Sequence, residues 1–190
     1  MICGSHPENI IQDEQIEVVV KNPGIPYSNP VIEQALAKNI PIFTEVELAY
    51  QICDAEIIAI TGSNGKTTTT TLIYEMLKED GKEPLMAGNI GLVACEVAQK
   101  ATDNNILVME LSSFQLEGTS TFKPKVAVLL NIFDAHLDYH HTRKNYERAK
   151  QKIFLNQTED DISIGNKNDQ AVTNLIAASS GQKIFFYNKG

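Results

Sequence analysis

Ile57-Ile58-Ala59-Ile60-Thr61-Gly62-Ser63-Asn64-Gly65-Lys66-Thr67-Thr68 passes from an apolar run straight into a glycine-rich turn and then into hydroxyl residues. A short apolar run stopped by glycine reads as a buried strand. Leu72, Ile73, Met76 and Leu77 then recur at helical spacing, so a helix with an inward stripe is expected from about Thr67 to Asp80. Strand, glycine turn, Gly-Lys-Thr and helix, in that order, form the setting in which backbone N–H groups cradle a phosphate at a helix start. In that setting Gly62, Ser63, Asn64, Gly65, Lys66, Thr67 and Thr68 surround the phosphates of a nucleotide. Lys66 meets the β- and γ-phosphates, and the Thr67 hydroxyl ligates Mg²⁺. The fit to G-x-x-x-x-G-K-T is incomplete, because Ile60 stands where the first glycine would be. A glycine turn that only caps a helix is the competing reading, and the order of the parts favours phosphate.

Outward from that loop, short apolar runs alternate with helical patterns, the mark of an α/β fold: a mostly parallel sheet with helices on both faces. Strands are expected at Ile16–Val20, Pro41–Phe43, Pro84–Ala87, Ile106–Leu111, Val126–Ile132, Asp161–Ile164 and Lys183–Tyr187. Helices are expected at Pro30–Lys38, Glu45–Ile52, Leu92–Lys100, Lys144–Leu155 and Gln170–Ser179. The stretch Cys53-Asp54-Ala55 reads as a junction between a partial α/β unit at 1–53 and a fuller one at 54–190. Both ends read as those of an excerpt, since no Gly-rich opening precedes the first strand and the last strand stops near Gly190.

The chain has 190 residues, 43% hydrophobic and 21% charged, which suits a globular protein with a sizeable core and excludes disorder as its main state. No apolar run approaches the roughly 20 residues that a bilayer span needs. With 16 Lys+Arg against 24 Asp+Glu the formal charge is -8, which argues against sequence-independent binding to nucleic acid. A few N–H groups and one lysine still suffice to hold a phosphate on an acidic protein. Cys3, Cys53 and Cys95 are odd in number and far apart, so neither a disulfide framework nor a zinc site is indicated, and a reducing cytoplasm is expected.

In a parallel sheet, ligands gather beyond the carboxyl ends of the strands. Gly88-Asn89-Ile90-Gly91, Glu110-Leu111-Ser112-Ser113-Phe114-Gln115 and the loop Asn131–His141 all fall at such ends. Glu110 is the first candidate for a Mg²⁺ ligand, against a plain helix-starting acid. In the His-rich loop, His136 and Asp134 are favoured over His140 and His141 because they lie nearer the strand end. Lys150 falls inside the apolar stripe made by Tyr146, Ala149, Ile153 and Phe154. An inward lysine must snorkel, pair or lose its charge. It either sends its amine to a surface ion pair or carries a modification, and a carbamate from CO₂ would make it an oxygen ligand for Mg²⁺.

The strings Thr61–Thr68, Gly88–Gly91, Glu110–Leu116, Asn131–Asp138 and Tyr146–Lys150, in this order, resemble the Mur ligases, the ATP-dependent amide-bond enzymes of bacterial cell-wall precursor synthesis. Glu110–Leu116 and the upstream Lys21-Asn22-Pro23-Gly24-Ile25-Pro26 are similar to the D-glutamate-adding branch. The resemblance implies a P-loop-type central ATPase domain preceded by the tail of a Rossmann-like uridine-binding domain, with a C-terminal domain absent. It implies ATP phosphates on Gly62–Thr68, one Mg²⁺ on Thr67, metal contact by Glu110, and a second Mg²⁺ on His136 and a carbamylated Lys150. It implies that Asn89 and Ser112 face UDP-MurNAc-L-alanine, with Gly24 toward the uridine, and that Lys66, His136 and Lys150 serve catalysis. His141 departs from that pattern, standing where glycine is common. The implied reaction activates the alanyl carboxylate as an acyl phosphate, which D-glutamate then attacks. The rivals are a sister ligase, such as another Mur enzyme or a folylpolyglutamate synthetase, and a noncatalytic nucleotide-binding module.

Overall fold

The computed structural model describes residue 11 and residues 15–188, so Cys3 lies outside the described residues. First in the chain come two short parallel strands, β1 (Val19–Val20) and β2 (Ile42–Phe43), with helices α1 (Pro30–Ala37) and α2 (Glu45–Ile52). Asn29 caps α1 by accepting from the Val31 N–H at 3.0 Å, with Pro30 at the first helical position. The remaining strands are β3 (Glu56–Thr61), β4 (Glu83–Gly88), β5 (Asn105–Glu110), β6 (Val126–Leu129), β7 (Ile162–Asn166) and β8 (Gln182–Phe186). They form one sheet in the order β4-β5-β3-β6-β7-β8, parallel throughout, as the alternating pattern predicts. The connecting helices are α3 (Lys66–Glu79), α4 (Ala94–Ala98), α5 (Ser113–Glu117), α6 (Leu137–His140), α7 (Arg143–Gln151) and α8 (Gln170–Ile176).

Period-two alternation splits β3 between two cores. Ile57 and Ala59 join the larger one, with Leu107, Met109, Ala127 and Leu129 and with side chains of α2, α4, α7 and α8. Ile58 and Ile60 face the other side with Val108 and Val128, where Ile73 and Leu77 of α3 pack. Of the predicted α3 stripe only that half packs inward, since Leu72 is 57% and Met76 67% exposed.

Several boundaries differ for physical reasons. Only Val19–Val20 of the expected Ile16–Val20 pair, because β2 offers just two partner residues. Beyond Leu129 the chain leaves the sheet to bond the glycine turn, with the Ser63 N–H donating to the Asn131 carbonyl at 3.0 Å. The helix expected to reach Leu155 stops at Gln151, and Ile153 and Phe154 bond back three residues to Lys150 and Gln151 in a tighter turn. The helix expected at Leu92–Lys100 is confined to Ala94–Ala98, since Leu92 is held in a bridge to Ala87.

Candidate active site

The chain order doubles back at β3, whose neighbours are β5 and β6, and this places the carboxyl ends of all three around one crevice. The quoted loop leaves β3 there, Glu110 ends β5, and Asn131 lies just past β6. Gly65 takes φ 81° at the start of α3, a left-handed turn that glycine adopts without Cβ strain. Ile60, at the position of the missing first glycine, is a fully buried strand residue, so the turn begins only at Gly62. The loop is braced from outside: Asn131 accepts from the Asn64 N–H at 2.9 Å and donates to the Asn64 carbonyl at 3.1 Å.

Glu110 is 1% exposed, yet both carboxylate oxygens are engaged at the mouth of the crevice. One accepts from the Thr67 hydroxyl at 2.7 Å and the other from the Asn89 amide at 2.7 Å. The Asn89 N–H donates to the Glu110 carbonyl at 2.8 Å, so the two strand ends hold each other twice. Three residues expected from separate motifs thus meet. Lys66 folds back on its own loop, donating to the Gly62 and Ser63 carbonyls at 3.1 and 3.0 Å. Ser112 caps α5 through a capping box with Gln115, so its hydroxyl is already engaged.

Lys150 is buried, 2% exposed, which removes the surface ion pair as an account of it. Its amine passes under the loop and donates to the Gly62 carbonyl at 2.9 Å and the Thr61 hydroxyl at 3.1 Å. Burial pushes its pKa down to about 7, the Lys66 charge adds to the fall, and Glu110 opposes it. A large fraction of the amine is therefore neutral near pH 7. Lys150 also stands 4.9 Å from the centre of the Tyr146 ring, and the His136 ring centre is 6.3 Å from the same ring. His136 begins α6 with φ 55°, its ring exposed and edge-on to Phe114 at 4.9 Å.

Within the His-rich loop, Asp134 and His140 take places that nearness to the strand end does not predict. Asp134 is exposed and pairs with Arg143 at 2.8 Å. His140 instead is 2% exposed and bonds the Ser113 hydroxyl at 2.9 Å, and burial with the nearby His136 lowers its pKa to about 4. Nearness to the strand end mattered less than the one-turn helix α6, which carries His140 inward. His141 closes that helix with φ 63°, a backbone state glycine tolerates better than histidine.

The apolar stripe and the Tyr146–Lys150 string give Tyr146 no polar partner, but its hydroxyl lies 2.7 Å from the Ser63 hydroxyl. A tyrosine in an otherwise apolar stripe is a weak pointer to such a bond.

The oxygen donors Thr67 and Glu110, side by side at a phosphate-type loop, suit Mg²⁺, which takes one or two protein oxygens and fills its shell with phosphate and water. Among the described residues no three His, Cys, Asp or Glu side chains converge to hold a metal by themselves, so phosphate oxygens or an added carboxylate would be needed. A carbamate on Lys150 would supply one.

Fold and crevice together define a parallel α/β domain with a phosphate-type loop at its switch point. A model of the Mur ligase middle domain matches residues 60–190, and the chain belongs to the Mur ligase family. It is 57% identical over 186 residues to the UDP-N-acetylmuramoylalanine–D-glutamate ligase of Bacillus pumilus and 59% identical to that of Geobacillus kaustophilus. Each match covers 98% of this chain but 41% of the relative, so the chain spans about two fifths of the length of these curated relatives. Among solved structures it is similar to the MurF ligase of Thermotoga maritima in complex with ADP, with TM-score 0.61 at 20% identity over 93% of this chain and 52% of that one. It is also similar to the UDP-N-acetylmuramate–alanine ligase MurC of the same organism, with TM-score 0.58 at 25% identity over 92% and 39%. The first of these likenesses speaks for the fold alone.

Proposed function

We propose that the whole protein carrying this chain is an ATP-dependent ligase that joins UDP-N-acetylmuramoyl-L-alanine to D-glutamate through an acyl phosphate, in peptidoglycan precursor synthesis in the cytoplasm. The observation that carries this reading is the 57–59% identity, along 98% of the chain, to ligases of that name. The sister ligases among the structural neighbours are far more distant, at 20% and 25%. Residues 1–53 then end the uridine-binding domain and residues 54–190 make most of the central one. The chain alone binds Mg-ATP weakly and does not ligate.

In this reading Gly62–Thr68 hold the ATP phosphates, and Lys66 releases its own loop carbonyls to meet the γ-phosphate. Thr67 and Glu110 hold one Mg²⁺, and His136 with a carbamylated Lys150 hold the second. When bound, the metal ions neutralise charge on the transferring phosphoryl group. Glu110 also fixes Asn89 toward the nucleotide-sugar, with Ser112 and Gly24 on the same substrate. The neutral Lys150 amine attacks the carbon of CO₂ and sheds its proton to solvent, leaving an N-carboxylate. Phosphate release from ATP by the whole protein tests the function: it should require both UDP-MurNAc-L-alanine and D-glutamate. Turnover with a folate in their place rejects it.

A further inference from the structure

Lys21 is a buried lysine, 3% exposed, just past β1 and far in sequence from the phosphate loop. Its amine donates to the Ile25 carbonyl at 2.9 Å, the Pro23 carbonyl at 3.3 Å and the Tyr139 hydroxyl at 3.2 Å. The Tyr139 hydroxyl lies 3.2 and 3.3 Å from the same two carbonyls and gives its single proton to one of them at a time. The turn at 22–25 is therefore clamped between an ammonium from its own unit and a phenol from α6. The Tyr139 ring meets Phe114 edge-on at 4.6 Å, and Phe114 meets the His136 ring at 4.9 Å. A path of direct contacts thus joins the Gly24 turn to His136, past a cleft of about 400 Å³ lined by Gly24, Tyr27, Glu117, Tyr139 and His140. Without the clamp, a four-residue helix and the nine-residue loop between β1 and α1 would set this separation, and neither is stiff alone.

We infer that Lys21 and Tyr139 are positioning residues, which lock the 22–28 loop onto α6 so that Gly24 and His136 stand at a fixed separation for one extended substrate. The identity of that substrate, a nucleotide-sugar, rests on the function proposed above; the clamp itself does not. Neither residue touches the phosphate loop, so nucleotide binding should be spared.

Tyr139→Phe, Lys21→Met and the double variant are compared in the whole protein. The KM for UDP-MurNAc-L-alanine should rise about tenfold in each single variant, that for ATP should stay within about twofold, and the double variant should be no worse than either single one. An unchanged nucleotide-sugar KM overturns the inference. So do losses that add in the double variant, or both KM values rising together with a fallen Tm, which would make the pair ordinary scaffold. Wild-type protein that forms no amide bond rejects the proposed function instead. Hydrogen exchange then still decides the clamp: Tyr139→Phe should speed exchange of 22–28 and 136–141 together and leave 62–67 unchanged. No change, or a rise everywhere, overturns it.

Discussion

The amine of Lys150 donates to the Gly62 carbonyl across 88 residues of sequence, at 2.9 Å and in a buried position. A helix from the far part of the chain thereby supports the floor of the phosphate loop. The same amine is held partly neutral, which suits it for a reaction with CO₂.

Lys150→Met should lower ligation by the whole protein by about a thousandfold, by removing charge stabilisation at the transferring group. Its effect on stability depends on pH. The folded-state pKa near 7 lies below the ordinary lysine value of 10.5, so between them the unfolded chain binds more protons and wild-type stability rises with pH. Denaturant unfolding should show wild type gaining on Lys150→Met from pH 7 to pH 10, with no such gain below about pH 6. A flat difference between the two proteins would mean that the amine is not perturbed.

Glu110 and Thr67 share one hydrogen bond and, in the proposed function, one Mg²⁺. Glu110→Gln and Thr67→Val should each weaken Mg-ATP binding by about tenfold or more, and the double variant should lose less than the product of the two. Calorimetric titration of the three variants reads this directly. Independent losses would place the metal elsewhere.

Gly88 has φ 103°, and a Cβ there would stand 2.3 Å from the Glu110 carbonyl oxygen. Backbone on backbone cannot yield without moving β4 from β5. Gly88→Ala should therefore cost about 2 kcal/mol or more of stability and displace Glu110 from Thr67. Unfolding curves measure the first effect and Mg-ATP affinity the second. A neutral substitution would mean that the two strand ends are less rigidly paired than the structure describes.

Glu47 is 2% exposed on α2 and accepts from the Ser120, Thr121 and Phe122 N–H groups and the Thr121 hydroxyl. Burial pushes its pKa up, but these donors outweigh it and hold the carboxyl below its ordinary value of 4.5. The stability it contributes is thus complete above about pH 4.5 and is lost as pH falls through the lower folded-state value. Glu47→Gln should cost about 1–3 kcal/mol at pH 7, with the gap to wild type closing on acidification. A gap that persists at pH 3 would assign the loss to packing.

The sheet and the phosphate loop could be read from the chain because both are local patterns. Ile57–Thr61 is apolar without interruption, and Gly65-Lys66-Thr67 follows at once. The inward place of Lys150 was likewise visible, since Tyr146, Ala149, Ile153 and Phe154 set the face on which it falls, and all four are buried. What the pattern lacked was partners distant in sequence. Nothing near Tyr146 announces Ser63, and nothing near Lys21 announces Tyr139, 118 residues away. The reversal between Asp134 and His140 has the same origin. The turn of α6, which depends on packing against Phe114 and Ser113, decides which side chain points inward. Leu72 and Met76 mark the opposite limit: a helical stripe tells which residues share a face, not how much of that face finds a partner.

Crystals of the whole protein grown with Mn²⁺, a nonhydrolysable ATP analogue and bicarbonate give the most direct test, through anomalous density for the metal. One Mn²⁺ should lie about 2.1–2.3 Å from the Thr67 hydroxyl, within the usual range for hard cations on oxygen, with the triphosphate along Gly62–Thr68 and an added carboxylate on Lys150. A metal peak remote from Thr67 and Glu110, or a triphosphate bound away from the loop, would contradict the site at its foundation.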